Sequence, residues 1–360
     1  MCLRSISKDE IWACKGDMMK RFEGYTSGVN LGGWLSQCDH TEERYSTFIK
    51  EEDIRTLAGW GIDHIRVPVD YDLVEDTEGG YREAGFGHIQ NALDWAGRYG
   101  LNMILDLHKT AGFSFDAGEA ESGFFEEEAY QERFYRLWEE FAKRFGMYHD
   151  RLAFELLNEV TDQAYCDRWN RIAGTCIGRI RAIAPTIDIL VGGYHNNSVE
   201  AVKDLLLPPD EHIVYNFHCY EPIAFTHQGA YWIPDMKPDF RISLGSTIGE
   251  LEEATGRMVF PGWQGYGLFP PEERLSSAFF KILFEEAVRI AEERGVRLYC
   301  GEYGVIDLAS PEETISWYGM IHDAFETYGI GRAAWSYKEM DFGLSDKRMD
   351  GVREKLLHLL

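Results

Sequence analysis

The chain has 360 residues, 45% of them hydrophobic and 14% aromatic, which excludes a disordered protein or a small stapled domain. Its 61 acidic residues against 36 basic ones give a formal net charge of −25, which argues against a nucleic-acid partner or an anionic membrane surface. We therefore expect a neutral or cationic substrate. The seven cysteines are widely spaced and contain no C-x-x-C pair, which favours reduced thiols over a disulfide framework or a zinc ribbon.

The first 25 residues are interpreted as a charged N-terminal extension, because they lack the apolar stretch of a secretory signal. No later segment is long and apolar enough to span a membrane. The sequence therefore predicts a cytoplasmic protein, with one domain over residues 26–360.

Short apolar runs alternate with longer stretches of helical period along the rest of the chain. The predicted strands are residues 26–33, 62–69, 102–108, 152–159, 187–193, 212–220, 296–304 and 331–337. Helices are predicted near residues 48–60, 87–99, 130–146, 162–183, 198–207, 275–295 and 311–328, with a last helix from 348 to the end.

This alternation predicts an α/β protein, and eight strand–helix units are the number in a closed (β/α)8 TIM barrel. The alternative is an open, doubly wound sheet. Such a sheet would be expected to carry a Gly-rich phosphate-binding turn after its first strand, but the sequence contains neither a G-x-G-x-x-G motif nor a P-loop. We therefore predict the barrel.

Residues 221–274 interrupt the alternation after the sixth strand. They hold six of the eleven prolines and many aromatic residues. Because a segment of this length is rarely structureless within a compact domain, it predicts an inserted subdomain or a lid beside the barrel mouth.

Polar residues stand at the C-terminal ends of most predicted strands, and in a barrel these ends share one mouth. Asn158 and Glu159 are adjacent, so they cannot both face inward from a regular pleat, and the strand must end or bulge there. The polar and aromatic residues at these ends are Arg66, His108, Asn158, Glu159, His218, Tyr220, Glu302 and Trp335.

Two carboxyl groups at opposite strand ends are what acid/base hydrolysis of a glycosidic bond requires. One carboxyl must be protonated to help the leaving oxygen depart, and the other must be ionised. A neighbouring Arg66 and the Tyr220 hydroxyl would favour the ionised form, whereas an apolar setting would favour the protonated form. Each residue alone has an ordinary structural explanation, such as a solvated loop glutamate or a structural histidine. The prediction therefore depends on the whole set, and no tight His/Asp cluster or H-E-x-x-H motif indicates a metal.

Seven motifs from about Gly28 onward resemble glycoside hydrolase family 5, a retaining family of the large (β/α)8 clan. Within the family the resemblance is strongest to the compact endo-β-1,4-glucanases that also carry an insertion after the sixth strand. The motifs are GVNLGGWLSQ, HIRVPVDY, ILDLHKTAGFSF, AFELLNEV, YNFHCYEPIAFTHQGAYW, YCGEYGVI and AAWSYKEMDFG.

The resemblance implies a role for each strand-end residue. Glu159 is expected to be the acid/base, Glu302 the nucleophile, and Asn158 the partner of the sugar 2-hydroxyl. Arg66 and Tyr220 are expected to hold Glu302 charged. His108 and His218 would line the subsite where the bond breaks, and Trp335 would form its stacking floor, with a candidate non-proline cis peptide to Ser336.

Four further aromatic residues are candidates for the outer parts of the site, and at one position this sequence differs from the family pattern. Trp34, Phe113, Tyr194 and Trp232 are candidates for sugar subsites, and packing explains each of them equally well. Similar proteins carry a second histidine after the strand-3 histidine, where this chain has Lys109. This departure leaves the exact glucan open.

The function predicted on these grounds is endo-β-1,4-glucanase action on an oligo- or polysaccharide, with no metal or cofactor and with the two carboxyl groups about 5–5.5 Å apart. The alternatives on the same machinery are an exo-acting β-glucosidase, an exo-1,3-glucanase and a β-mannanase. A non-catalytic carbohydrate-binding barrel is a further alternative, although it would be expected to have lost a carboxylate. A phosphate-binding barrel enzyme is disfavoured because strands 7 and 8 lack Gly-rich loops after them.

Overall fold

Eight parallel strands close into a barrel in chain order, as the sequence predicts. The computed structural model describes residues 19–116, 119, 121–234, 236–256 and 264–360, so residues 1–18 of the predicted extension lie outside the described residues. The strands are β1 (Ser27–Asn30), β2 (His64–Asp70), β3 (Asn102–Lys109), β4 (Leu152–Glu155), β5 (Asp188–Val191), β6 (Ile213–Cys219), β7 (Arg297–Tyr303) and β8 (Gly331–Ala334). Since the sheet is closed, the open doubly wound alternative is wrong.

Helices follow the strands on the outside of the barrel. They are α1 (Glu42–Thr47), α2 (Glu51–Gly59), α3 (Tyr71–Val74), α4 (Glu83–Arg98), α5 (Glu128–Phe145), α6 (Cys166–Arg181), the single turn α7 (Tyr194–Asn197), α8 (Ile223–Thr226), α9 (Ile248–Thr255), α10 (Ser277–Arg294), α11 (Pro311–Tyr328) and α12 (Arg353–Leu357). Shorter 3-10 helices span Gly146–Tyr148, Gln163–Tyr165, Val199–Asp204, Gln264–Leu268 and Lys347–Met349. Within the described ranges, none of the helices is long and apolar enough to cross a membrane.

Three predicted elements show the clearest differences from the structure. Residues 198–207 form a 3-10 helix over Val199–Asp204 in place of the predicted α-helix, as is usual for short connecting segments. The last helix shrinks to α12, which has five residues. Strand β4 ends at Glu155, four residues before the predicted end, so the chain carrying Asn158 and Glu159 leaves the sheet as a loop.

Two tryptophans of the outer helices fix the loops that leave β4 and β5. Trp138 of α5 donates from Nε1 to the carbonyl of Leu156 at 3.0 Å. Trp169 of α6 donates in the same way to the carbonyl of Gly192 at 2.8 Å. Both tryptophans are buried by the periodic apolar faces of their helices. The helix packing therefore positions the mouth of the barrel directly.

The segment between β6 and α10 contains α8, α9 and the 3-10 helix Gln264–Leu268. Helix α8 is attached to the barrel mouth, because the Ile306 amide after β7 donates to the carbonyl of Thr226 at 2.9 Å. The predicted domain boundaries, including the insertion at residues 221–274, stay a prediction.

The opposite end of the barrel is filled by buried polar and aromatic side chains. The His64 ring lies between the Tyr299 hydroxyl (Nε2, 2.6 Å) and Asp63 Oδ1 (Nδ1, 2.7 Å). A Cβ on Gly28 would lie 2.2 Å from His64 Nε2, so only glycine leaves room for this ring. These side chains close the barrel at this end, so the candidate active site lies at the opposite end, the barrel mouth.

We expect Gly28→Ala to destabilise the fold by about 1–3 kcal/mol, because the added methyl displaces His64 inside a packed barrel. Gly87→Ala is the matched control, since Gly87 lies inside α4 and an added Cβ meets nothing within 4 Å. The control should stabilise by about 0.5–1 kcal/mol, the usual advantage of alanine in a helix. Urea unfolding measures both changes, and equal effects would contradict the packing argument.

Candidate active site

Arg66 is the hub of the polar network beneath the barrel mouth. Its side chain, on β2, is fully buried. Nη1 donates to Glu302 Oε1 at 2.7 Å and to Asn30 Oδ1 at 2.9 Å, while Nη2 donates to Asn158 Oδ1 at 2.9 Å. Burial alone would lower the pKa of Arg66, but the surrounding carboxylates outweigh burial and raise it. The guanidinium is therefore a fixed positive charge that joins residues from several strands.

Two buried acidic residues in this network are not among the site residues predicted from the sequence. The carboxylate of Glu155 on β4 accepts three hydrogen bonds. Arg66 donates two of them, from Nε at 2.7 Å and from Nη2 at 2.8 Å, and Asn216 Nδ2 donates the third at 2.7 Å. Asp106 Oδ2 on β3 lies 3.0 Å from Arg66 Nη2 and 2.5 Å from His108 Nδ1. Burial raises the pKa of Glu155, and it raises that of Asp106 to about 7 against the opposing charge of Arg66. A charged residue at an inward-facing position of an apolar strand was the available signal.

Glu302 is held by charged and neutral donors from two sides. Arg66 donates a hydrogen bond to Glu302 Oε1, and the Tyr220 hydroxyl donates one to Glu302 Oε2 at 2.9 Å. The pairing of β6 with β7 shifts register after Phe217, and that of β7 with β8 shifts after Cys300. Such irregularities re-aim side chains at a barrel rim, which is how Glu302 and His218 both come to face the mouth.

Glu159 has neutral hydrogen-bond donors and lies opposite Glu302. His218 Nδ1 is 2.8 Å from Glu159 Oε1, and Asn196 Nδ2 donates to Glu159 Oε2 at 2.9 Å. Carboxylate oxygens of Glu159 and Glu302 and a His218 nitrogen all lie within 4.8 Å of one another. Burial raises the pKa of Glu159 to about 7, partly offset by the hydrogen bond from Asn196. Burial lowers the pKa of His218 to about 4, which leaves the ring neutral.

Trp335 and His108 form one wall of the mouth. Their ring planes differ by 2° with centroids 5.8 Å apart, and the Phe115 ring meets His108 edge-on at 4.8 Å. The peptide from Trp335 to Ser336 is cis, which confirms that expectation. Burial lowers the pKa of His108, so this ring is also neutral.

The structure separates the four outer aromatic candidates. Trp34 is fully buried, donates to the carbonyl of Tyr45 at 2.8 Å and stacks on Trp95. Phe113 is buried among neighbouring phenylalanines, and the buried Tyr194 donates its hydroxyl to Asp204 at 2.6 Å. Packing is therefore the better interpretation for these three. Trp232 is partly exposed beside Tyr231, which is 80% exposed, and is the one of the four that a sugar could reach.

Lys109 organises the loop that follows β3. Its side chain is 9% exposed, and Nζ lies 2.6 Å from Asp116 Oδ2 and 2.7 Å from Glu119 Oε1. Burial opposes the charge of Lys109, but Asp70 and the two paired carboxylates raise its pKa. The ammonium thus ties the loop that carries Phe115 to the barrel mouth.

A separate group with spacing suited to a cation lies beside this loop. His40, Asp70 and Asp72 have ligand atoms within 4.8 Å of one another. Asp70 already accepts from the Ser36 hydroxyl at 2.7 Å and from the Gln37 amide at 3.1 Å. Burial raises the pKa of Asp70 to about 7, with Lys109 opposing. The hydrogen-bonding needs of the buried Asp70 carboxyl are therefore met by neighbouring protein atoms.

Comparison with known proteins gives the chain its family. Residues 25–341 match the sequence model for cellulase (glycosyl hydrolase family 5). The chain is 48% identical over 314 residues to cellodextrinase A of Ruminococcus flavefaciens, covering 87% of this chain and 86% of that protein. It is 35% identical over 342 residues to endoglucanase C of Acetivibrio thermocellus, covering 93% and 98% respectively.

A solved structure shares the fold. The crystal structure of endoglucanase Cel5A from Thermotoga maritima matches with a TM-score of 0.73 at 22% identity, over 94% of this chain and 97% of that chain. At this identity the match shows the fold alone. The family model and the two relatives carry the assignment, and they agree with the motifs that led to it. The chain is a glycoside hydrolase and belongs to glycosyl hydrolase family 5.

Proposed function

We propose that this protein hydrolyses β-1,4-glucan chains, short cellodextrins among them, by double displacement, with Glu302 as nucleophile and Glu159 as acid/base. One observation carries the proposal: one carboxylate oxygen of Glu159 and one of Glu302 lie within 4.8 Å of each other, beside His218. Retaining glycosidases place their carboxyl groups about 5–5.5 Å apart, whereas inverting enzymes need about 6.5–9.5 Å to admit a water. The short spacing therefore supports retention.

In the first step, Glu302 attacks the anomeric carbon while the glycosidic bond breaks. Arg66 and the Tyr220 hydroxyl donate to its two oxygens, which orients the nucleophile. Glu159, whose pKa burial raises to about 7, still holds its proton near neutral pH and gives it to the leaving oxygen. A covalent glycosyl–Glu302 ester and a shortened sugar chain result.

In the second step, the ionised Glu159 accepts a proton from a water molecule that attacks the anomeric carbon. The bond to Glu302 breaks, the sugar leaves with the same anomeric configuration, and both carboxyl groups return to their starting states. His218 and Asn196 donate to Glu159 throughout, so they stabilise its charge after the first step.

Asn158 is suited to contact the sugar beside the bond that breaks. Its Oδ1 is occupied by Arg66, which fixes the orientation of the amide. Among the described residues, no acceptor lies within hydrogen-bonding distance of the buried Nδ2. A sugar hydroxyl would supply that acceptor, and a contact that tightens in the transition state accelerates the reaction.

The names of the relatives support the substrate class. The relative at 48% identity is a cellodextrinase and the one at 35% is an endoglucanase, so a neutral β-glucan is the best candidate. A net charge of −25 is compatible with such a neutral substrate. Chromatography of the products from cellodextrins, cellulose derivatives, β-1,3-glucan and β-mannan tests this. Faster cleavage of mannan or β-1,3-glucan than of any cellodextrin would overturn the substrate class, and release of single glucose units only would favour the exo-acting alternative.

Substitution of each carboxyl group should separate the two steps. Glu302→Gln should abolish turnover of every substrate, because no ester can form. Glu159→Gln should lower kcat on cellodextrins by about 10²–10⁴-fold, the usual contribution of a general acid or base. On an aryl cellobioside with a good leaving group, the Glu159 variant should instead show a burst of released phenol followed by slow turnover. Equal losses on both substrates would contradict the assignment of Glu159.

The rate should depend on pH through Glu159. Only its protonated form can assist the leaving group, so kcat/KM for cellodextrins should fall as the pH rises above about 7. The fall of kcat/KM above this pH should be smaller for the aryl cellobioside, because its leaving group needs no proton. A kcat/KM for cellodextrins that stays constant well above this pH would argue against the raised pKa.

The loop held by Lys109 should affect binding more than chemistry. Lys109→Met removes the partner of Asp116 and Glu119, so the loop carrying Phe115 loosens and KM for cellodextrins should rise by about 3- to 10-fold with a smaller change in kcat. Lys281→Met is the matched control, because Lys281 pairs with Asp323 at 2.8 Å on the outer helices. An unchanged KM for the Lys109 variant would show that the loop does not shape the sugar site.

A further inference from the structure

The turn after β5, residues 194–197, has a backbone that ordinary side chains rarely adopt. Three successive residues have left-handed φ angles: His195 at 49°, Asn196 at 56° and Asn197 at 57°. This region costs non-glycine residues free energy, although asparagine tolerates it better than most. Such a conformation persists where the surroundings determine it, and it is frequent at functional sites.

Asn196 joins this turn to the chain segment that carries Glu159. Its backbone amide donates to the carbonyl of Val160 at 3.0 Å, one residue beyond Glu159. Its side-chain Nδ2 donates to Glu159 Oε2 at 2.9 Å. Asn196, with its left-handed backbone, therefore hydrogen-bonds both the main chain next to Glu159 and one carboxylate oxygen of Glu159.

Asn197 acts on the same carboxyl from behind, through His218. The buried Asn197 Nδ2 lies 3.4 Å from His218 Nε2, and His218 Nδ1 lies 2.8 Å from Glu159 Oε1. A neutral imidazole has one N–H group and one acceptor nitrogen. When Glu159 is ionised it accepts only from a nitrogen that carries hydrogen, so in that state Nδ1 is the donor and Nε2 accepts from Asn197. Asn197 therefore favours the tautomer that donates to Glu159.

We propose that Asn196 and Asn197 are positioning residues that hold the acid/base carboxyl of Glu159 by its two oxygens, Asn196 directly and Asn197 through His218. This inference rests on the proposed function, since it assigns a role relative to Glu159 as acid/base. Asn196 favours the ionised form of Glu159, which is the form needed to activate water in the second step. It also keeps the carboxyl from turning away while its charge changes between the steps.

The other groups that influence Glu159 come from several strands and loops, and a change at Asn196 leaves their side chains in place. They are Glu302, His218, Arg66, Glu155, Asp106, Asp116 and Tyr220. Among the described residues, Asn196 and His218 are the two that hydrogen-bond the Glu159 carboxyl. Removal of Asn196 Nδ2 should therefore change one contact and leave the charges around Glu159 unaltered.

The test replaces Asn196 with glycine, which removes the donor and accepts the left-handed backbone without strain. Loss of a donor to the charged form raises the pKa of Glu159, so the basic limb of kcat/KM for cellodextrins should move up by about one pH unit. Hydrolysis of the glycosyl–enzyme, observed as steady-state turnover of an aryl cellobioside after its burst, should slow by about tenfold. Asn196→Asp, which keeps the shape but places a carboxylate beside Glu159, should move the limb further upward.

His195→Gly is the matched control, because it makes the same backbone change one residue away and His195 has no hydrogen bond to Glu159. Its pH profile should superimpose on that of the wild type. A wild-type profile for Asn196→Gly, or an equal shift for His195→Gly, would overturn the inference. Absence of β-glucan hydrolysis by the wild-type protein would instead refute the proposed function, so the two failures can be told apart.

Discussion

Burial of one guanidinium determines how the rest of the site is charged. Arg66 is fully buried, and an arginine cannot escape the cost of burial by losing its proton. A charge removed from water must be paired and fully hydrogen-bonded to be tolerated. Asp106, Glu155 and Glu302 supply the opposite charges, while the amide oxygens of Asn30 and Asn158 accept the remaining hydrogen bonds. The barrel interior is thus built around a cation whose partners come from several strands.

This arrangement makes the two mouth carboxyl groups unequal. Glu302 bonds Arg66 directly, whereas the hydrogen-bond partners of Glu159 are the neutral His218 and Asn196. Burial raises the pKa of Glu159 to about 7. The local chain path produces the difference, because β4 ends at Glu155, which takes the place next to Arg66 and leaves Glu159 to reach the mouth four residues later. The different surroundings of these two carboxyl groups therefore follow from where β4 ends.

The sequence predicts the barrel and the residues at its mouth, because strand ends of a parallel barrel converge whatever the details of packing. It does not predict Asp106 and Glu155 as partners of Arg66, since their contacts join strands that are distant along the chain. Asn196 is hidden for a similar reason: its contact with Glu159 depends on a left-handed turn 37 residues downstream. Aromatic residues are ambiguous in sequence, because burial and sugar stacking favour the same side chains. Only the packed structure separates the buried Trp34 from the partly exposed Trp232.

In the proposed mechanism Glu159 changes charge twice in each catalytic cycle, and its neutral hydrogen-bond donors suit this role. A cationic partner would favour the ionised form and so reduce the fraction of Glu159 that has a proton to give in the first step. A wholly apolar pocket would hold the proton too tightly for the carboxylate to act as a base in the second. His218 is kept neutral by its burial, and Asn196 does not titrate, so neither exchanges a proton when Glu159 does. The change of protonation is thus confined to Glu159, while Glu302 goes from carboxylate to ester and back beside Arg66.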